Sequence, residues 1–200
     1  MQSDATLLAN WQAGDRASGN ALLSRHFGSV RRFFASKIAP ADVEELVQKT
    51  FAGCVEGAAR LREDGQFRAY LFGIARKTLY KHLRNRARDA SRHEPDMGVS
   101  SVRALGQSPT SVVAEQQRES LVLEALQQLP VEQQTLLELH YWESLDAAAI
   151  GAVLEIAPGT VRVQLHRARA QLREVMLSAG GTEVDEDGLD GLARALGRLV

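Results

Sequence analysis

Residues Leu145 to Glu174 read LDAAAIGAVLEIAPGTVRVQLHRARAQLRE, and this stretch decides the fold. Between Asp146 and Leu154, Ala149, Ile150 and Val153 share one helical face, and Asp146 is placed to cap the helix. Gly151 is small enough for a crossing helix to approach, and Glu155-Ile156-Ala157-Pro158 reads as a turn. Pro158 suits the first turn of a second helix, in which Val161, Leu165, Ala168 and Leu172 share the core side. Arg162, Val163, His166, Arg167, Ala170 and Arg173 face outward. Two short helices joined in this way, the second basic on its outer face, have the form of a helix-turn-helix. The outward residues near the start of such a second helix meet base edges in the major groove. Arg162, Val163 and His166 are thus the candidate readers, with Thr160 beside them. Arg167, Arg169 and Arg173 lie nearer the phosphates.

The same 3.6-residue periodicity runs through the rest of the chain, and no run alternates apolar and polar as a strand would, so the expected fold class is all-α. Asp15 can cap a helix reaching about Ile38, with Leu22, Leu23, Phe27, Val30 and Phe34 as its buried stripe. Asp42 followed by Glu45 has the form of a capping box. Val43, Leu46, Val47, Phe51, Cys54 and Ala58 then mark the core face of a helix to about Arg60. A polar turn, Arg62 to Gln66, leads into a long helix from Phe67 to about Arg88. Helices resume near Ser111, break at Leu129-Pro130 and run again to Tyr141 before the helix-turn-helix.

The long helix is divided sharply by face. Leu71, Ile74, Ala75, Thr78, His82 and Leu83 are expected to turn inward, while Tyr70, Gly73, Lys77, Tyr80, Lys81, Arg84 and Arg88 form the other side. That second side interleaves cations with aromatics and lacks the acids that a solvated helix face places at i,i+4. Between Ala75 and Arg92 seven cations face one acid, whereas between Ala114 and Asp146 seven acids face one cation. Arg162, Arg167, Arg169 and Arg173 make a second basic cluster. Two basic patches separated by an acidic stretch point to two contacts with a polyanion.

The bounds set by the whole chain agree with this. Two hundred residues allow one or two small domains, and a composition 44% hydrophobic and 24% charged folds and buries a core. Residues 89–109 are rich in Ser, Gly and Pro and read as a connector, which divides the chain into 1–90, a linker over 91–110, 111–177, and an acidic then amphipathic extension over 178–200. Cys54, the single cysteine, excludes an intrachain disulfide and reads as a small buried hydrophobe. Met1-Gln2-Ser3-Asp4 opens no signal sequence and no run of 18 apolar residues occurs, so a cytoplasmic chain without membrane insertion is expected. No phosphate-binding glycine loop or nucleophile elbow is present. The five histidines neither pair at i,i+4 nor sit beside the cysteine, so no catalytic residue, metal or cofactor is expected.

Several of these segments, taken in order, carry a resemblance. Asp42 to Phe51 reads DVEELVQKTF, Phe67 to Arg76 reads FRAYLFGIAR with a basic ending through Leu83-Arg-Asn-Arg86, then come Leu129-Pro130 and Pro158 to Arg173. Together they resemble the two conserved regions of bacterial extracytoplasmic-function sigma factors, over about Ala5 to Leu177. The resemblance implies an initiation factor that binds core RNA polymerase and promoter DNA. Its C-terminal domain would recognise the minus-thirty-five element and its N-terminal one the minus-ten element, helping to open the duplex. An anti-sigma factor is a usual partner in such a family.

By position, the resemblance assigns polymerase binding to Asp42, Glu45 and Gln48. It places Arg62, Gln66 and Phe67 at a loop that holds a flipped base, and has Tyr70, Lys77, Tyr80, Lys81 and Arg84 track the melted strand. Stacking on aromatics supplies about 1–3 kcal/mol per base while cations neutralise phosphates, which gives the mixed stripe a physical reason. Four positions depart from the usual pattern: Lys49 in place of an acid, Tyr70 in place of tryptophan, Lys77 in place of asparagine and Ala157 in place of a capping or proline residue. The competing reading of the residues is a helix-turn-helix regulator that binds duplex DNA on its own.

Overall fold

The computed structural model describes residues 2–58, 61, 67–93, 122–179 and 191, and among these no strand occurs. They form two compact units, one in each half of the chain. The N-terminal unit comprises α1 (Asp4–Gln12), α2 (Arg16–Ala35), α3 (Pro40–Gly57) and α4 (Phe67–His93). The C-terminal unit comprises helical residues 122–128, then α5 (Val131–Tyr141), α6 (Ala147–Leu154) and α7 (Pro158–Ser178). The expected linker beyond His93, the turn Arg62–Gln66 and the C-terminal extension beyond Ala179, apart from Gly191, lie outside the described residues.

In the first unit, Ser3 caps α1 by accepting from the Thr6 N–H, and Asp15 caps α2 by accepting from the Ala17 N–H at 2.9 Å. Gly14 joins them at φ +103°, a left-handed conformation that a side chain would strain. α1 has no counterpart in the sequence expectations, and its presence changes the face of α2. Leu22, His26, Val30 and Phe33 are buried, while Leu23 is half-buried and Phe27 is 44% exposed. His26 can occupy the core because Asp4 of α1 holds its Nε2 at 2.6 Å. That pairing rotates the stripe away from Phe27.

α3 begins two residues before Asp42. Pro40 stands in its first turn, Ala39 is the N-cap without a side-chain bond, and the expected Asp42–Glu45 capping box does not form. Asp42 is thereby left free to reach α4. On α4 the fully buried residues are Phe67, Leu71, Phe72, Ala75 and Leu79, whereas Ile74, Thr78, His82 and Leu83 are only half-buried. The inward face is set by the larger rings: Phe72 meets Phe33 of α2 edge-on at 5.7 Å. Cys54 is buried on α3, and burial pushes its thiol up to about 12, so it acts as a packing residue.

The C-terminal unit is assembled on α5, where Leu136, Leu137, Leu139 and Tyr141 are buried. Asp146 caps α6 by accepting from the Ala149 N–H at 2.8 Å. α6 ends at Glu155 in the left-handed conformation, φ +60°, and α7 leaves at 95° to α6. The glycine in α6 lets both the turn and the start of the crossing helix come close, with Pro158 and Val161 of α7 within 3.7 Å of where its Cβ would stand. A Cβ at Gly151 would lie 2.7 Å from the Ile156 carbonyl oxygen, which accepts no such approach. Val161, Leu165, Ala168, Leu172 and Met176 then form a continuous buried stripe on α7.

Candidate nucleic-acid interfaces

The helix-turn-helix positions its outer face by what it buries. With the α7 stripe fixed in the core, Thr160, Arg162, Val163, His166 and Arg167 are all exposed, Val163 at 53%. Arg162, His166 and Arg167 make no ion pair among the described residues, so their donors are available to an incoming ligand. Arg173 is half-buried. Arg169, expected near the phosphates, turns inward. Its Nε donates to the Tyr141 hydroxyl at 2.6 Å, its Nη2 lies 3.0 Å from His140 Nε2, and its guanidinium sits 5.5 Å from the Tyr141 ring centre. It ties α7 to α5 and presents the residues beside it.

A separate basic surface lies on α4. Lys77, Lys81, Arg84 and Arg88 are exposed, Tyr80 is half-buried among them, and Tyr70 is half-buried nearer the start of the helix. The Arg76 guanidinium lies 5.0 Å from the Tyr80 ring centre, a cation–π contact one turn along the helix. Tyr70 reaches back toward α3. Its hydroxyl occupies the space over Gly57, where a Cβ would come within 1.9 Å, so a side chain there would displace the tyrosine ring end. Phe67 corrects an expectation. It is 1% exposed, its ring 5.5 Å from that of His26, and it anchors the start of α4 in the core instead of offering a face to a base. Arg62 and Gln66 lie outside the described residues.

The residues expected to meet polymerase lie on the outer side of α3. Asp42 is a third exposed, accepts from Arg86 Nη1 at 3.2 Å and lies 3.6 Å from His82 Nε2. Glu45 is paired with Lys49 one turn on, and the hydrogen bond from that ammonium holds its carboxyl below the usual range. Lys49, a departure from the family pattern, thus has an intramolecular partner. Gln48 is exposed, without one among the described residues. On the same helical face, Phe51 stacks on Phe27 of α2 at 6.0 Å, and Val55 is 52% exposed. This apolar strip beside Gln48 escaped the sequence reading, because Phe27 and Phe51 were both assigned to the core. Among the described residues, no group of three or more His, Cys, Asp or Glu side chains could hold a metal ion, and no single helix is long and apolar enough to cross a membrane.

Comparison with known proteins matches both halves. The family model for Sigma-70 region 2 matches residues 21–89, and that for Sigma-70, region 4 matches residues 119–172. RNA polymerase sigma factor CarQ of Myxococcus xanthus is 31% identical over 159 residues, covering 78% of this chain and 87% of that protein. The ECF RNA polymerase sigma-E factor of Haemophilus influenzae is 23% identical, covering 85% of this chain and 93% of its own. Among solved structures, the sigma factor RpoE of Bartonella quintana, in complex with the anti-sigma factor NepR, aligns with a TM-score of 0.63 at 21% identity. It covers 79% of this chain and 96% of that one. CnrH, in complex with the cytosolic domain of CnrY, aligns at 0.62 and 23% identity, covering 89% and 99%. At these identities the two structures show a shared fold.

Proposed function

This chain belongs to the sigma-70 family, in its extracytoplasmic-function branch, and on that premise we propose how its two units divide the work of starting transcription. It is a promoter-specific initiation factor that binds core RNA polymerase and promoter DNA. The C-terminal unit reads duplex DNA at the minus-thirty-five element through Arg162, Val163 and His166, with Thr160, Arg167 and Arg173 on flanking phosphates. The N-terminal unit follows the melted minus-ten strand along Tyr70, Lys77, Tyr80, Lys81 and Arg84. The same unit meets polymerase through Asp42, Glu45, Gln48 and the Phe27–Phe51 strip. An anti-sigma factor, the class of protein that NepR represents on RpoE, is the regulator we propose for this chain.

One observation carries the division. An exposed outward face on α7, set at 95° to α6, is built for a groove, whereas the cation-and-tyrosine row on α4 is built for a strand. Energetics requires both and a partner. Opening about ten base pairs costs on the order of 14 kcal/mol at ~1.4 kcal/mol per stacked step, more than a handful of surface side chains supplies. The chain by itself should bind promoter duplex weakly, and the holoenzyme specifically and with strong salt dependence.

Run-off transcription with core polymerase on a genomic promoter library tests this and returns the recognised sequence. Starts at defined sites are expected, lost when Arg162→Ala and His166→Ala are combined. A chain that footprints duplex tightly as a free dimer and directs no start would instead be a regulator binding on its own. A chain that binds polymerase and keeps its effect after both substitutions would be a sequestering protein.

A further inference from the structure

We infer that the minus-thirty-five element read by α7 carries a thymine whose 5-methyl group packs on Val163, so that one base pair is chosen by an apolar contact and not by hydrogen bonding. This assignment rests on the duplex-reading role proposed above for α7, and it names the chemical group that one of the proposed readers takes.

Phe27, Val55, Val163 and Leu177 are large apolar side chains exposed among the described residues. Phe27 and Val55 belong to the strip on α2 and α3, and Leu177 lies in the last turn of α7. Val163 is set differently, among cations. Arg162 is beside it and His166 and Arg167 are one turn on, all of them exposed. No Asp or Glu occurs from Pro158 to Arg173, so the ligand that suits this surface is an anion. That anion must also offer something to valine, which has no side-chain donor or acceptor. Among base edges in the major groove, the thymine methyl is the one apolar group of that kind.

The rotation of α7 about its own axis is fixed, and the direction of Val163 is fixed with it. Val161, Leu165, Ala168, Leu172 and Met176 hold one side of the helix in the core, and the Arg169 Nε is bonded to the Tyr141 hydroxyl at 2.6 Å. Val163 therefore cannot turn inward to bury its methyl groups. Branching at Cβ restricts its χ1, so those methyls are presented with little side-chain freedom left to lose on binding. The end of the helix that leads to Val163 is short-sided. Ala157, Gly159 and Thr160 are exposed, a Cβ added at Gly159 would meet nothing within 4 Å, and Thr160, three residues before Val163, is its neighbour on the outer surface. Side chains this small let the front of α7 approach the floor of a groove closely enough for a valine to reach a base.

The test uses the holoenzyme and the minus-thirty-five duplex that run-off transcription identifies. Each thymine on either strand is replaced in turn by deoxyuridine, which removes the methyl group and keeps every hydrogen-bonding group. Affinity is read by competition in fluorescence anisotropy for the unaltered chain, for Val163→Ser, and for Val163→Thr, which keeps the branched shape and one of the two methyls. For the unaltered chain, replacing a thymine next to the base pair at which Arg162→Lys lowers discrimination should weaken binding about fourfold, the worth of one buried methyl-sized group. Val163→Ser should bind thymine and uracil duplexes alike, Val163→Thr should fall between, and the salt dependence should match that of the unaltered chain because no charge has changed. Indifference of the unaltered holoenzyme to every replacement overturns the inference, and so does a recognised element that contains no thymine. A uracil effect that persists in Val163→Ser overturns it too, as does a loss of core-polymerase affinity in that variant large enough to account for its defect, which would set Val163 against protein. Duplex binding that ignores the methyl groups leaves the proposed function standing and removes this inference alone, whereas a holoenzyme that holds no duplex and directs no start removes both.

Discussion

A base reader has to be exposed, unclaimed by its neighbours and carried on a rigid element, and among the described residues Arg162 on α7 satisfies all three conditions. Its guanidinium can form two parallel hydrogen bonds to a guanine edge, which an ammonium cannot reproduce. Arg162→Lys, which keeps the charge, should therefore leave the salt dependence of promoter binding unchanged. It should lower discrimination at one base position by about 1–3 kcal/mol, read by competition among single-base promoter variants. Arg169, two helical turns on, could not be told from Arg162 by sequence, because both are arginines on a basic helix. What separates them is Tyr141 and His140, which lie nearly thirty residues upstream and claim Arg169 only once α5 and α7 are packed. Phe27 and Phe67 show the same limit with opposite outcomes. Local periodicity put Phe27 inside and the resemblance put Phe67 at a DNA surface, but Asp4 draws His26 inward, which turns Phe27 outward and seats Phe67 on the imidazole.

Elements whose ends are set by local chemistry were legible, and those set by another element were not. Asp15, Asp146 and Pro158 each stand at a helix start where capping preference places them, and the helix-turn-helix follows from them together with the α7 stripe. The turn inside it is tight enough to test. Gly151→Ala drives a Cβ to 2.7 Å from the Ile156 carbonyl, a backbone atom that cannot swing away, so α7 must shift. A loss of about 1–3 kcal/mol in urea unfolding is expected, together with weaker minus-thirty-five binding. α1 was illegible for a different reason. Its nine residues bury only Leu7 and Leu8, too few to show a period, and its value lies in long-range polar contacts. Those contacts give the N-terminal unit an acid sensitivity. Burial alone would raise the pKa of Asp4, but the Arg25 hydrogen bond and the His26 charge outweigh it, and the pKa lies below the ordinary 3.8. The stabilisation is therefore complete above 3.8 and drains away as pH falls through the lower folded value. Asp4→Asn should destabilise at neutral pH, and the difference from the unaltered chain should shrink once the pH is well below 3.8, as followed by circular dichroism.

At the scale of the whole molecule, the two basic surfaces differ in the nucleic acid they suit, and that difference can be measured without separating the units. A cation that neutralises a phosphate releases a counterion, so log affinity falls with log salt by about 0.9 per phosphate on duplex and about 0.7 on a single strand. Lys81 and Arg84 are exposed on α4, and Arg162 and Arg167 are exposed on α7, so substitution of either pair leaves the core of its unit intact. With the holoenzyme assembled, Lys81→Ala combined with Arg84→Ala should lower both affinity and salt slope for a single-stranded minus-ten oligonucleotide. Binding to a minus-thirty-five duplex fragment should not change. Arg162→Ala combined with Arg167→Ala should give the reverse pattern, with the duplex slope reduced by about one per lost phosphate contact. Fluorescence anisotropy across a salt series reads all four combinations. If both double variants weakened both ligands in equal measure, the charge would be acting as one general field, and the assignment of strand to α4 and duplex to α7 would fall. The crossed result would mean that the near-neutral net charge of −1 conceals two local binding surfaces, each matched to one physical state of the same DNA.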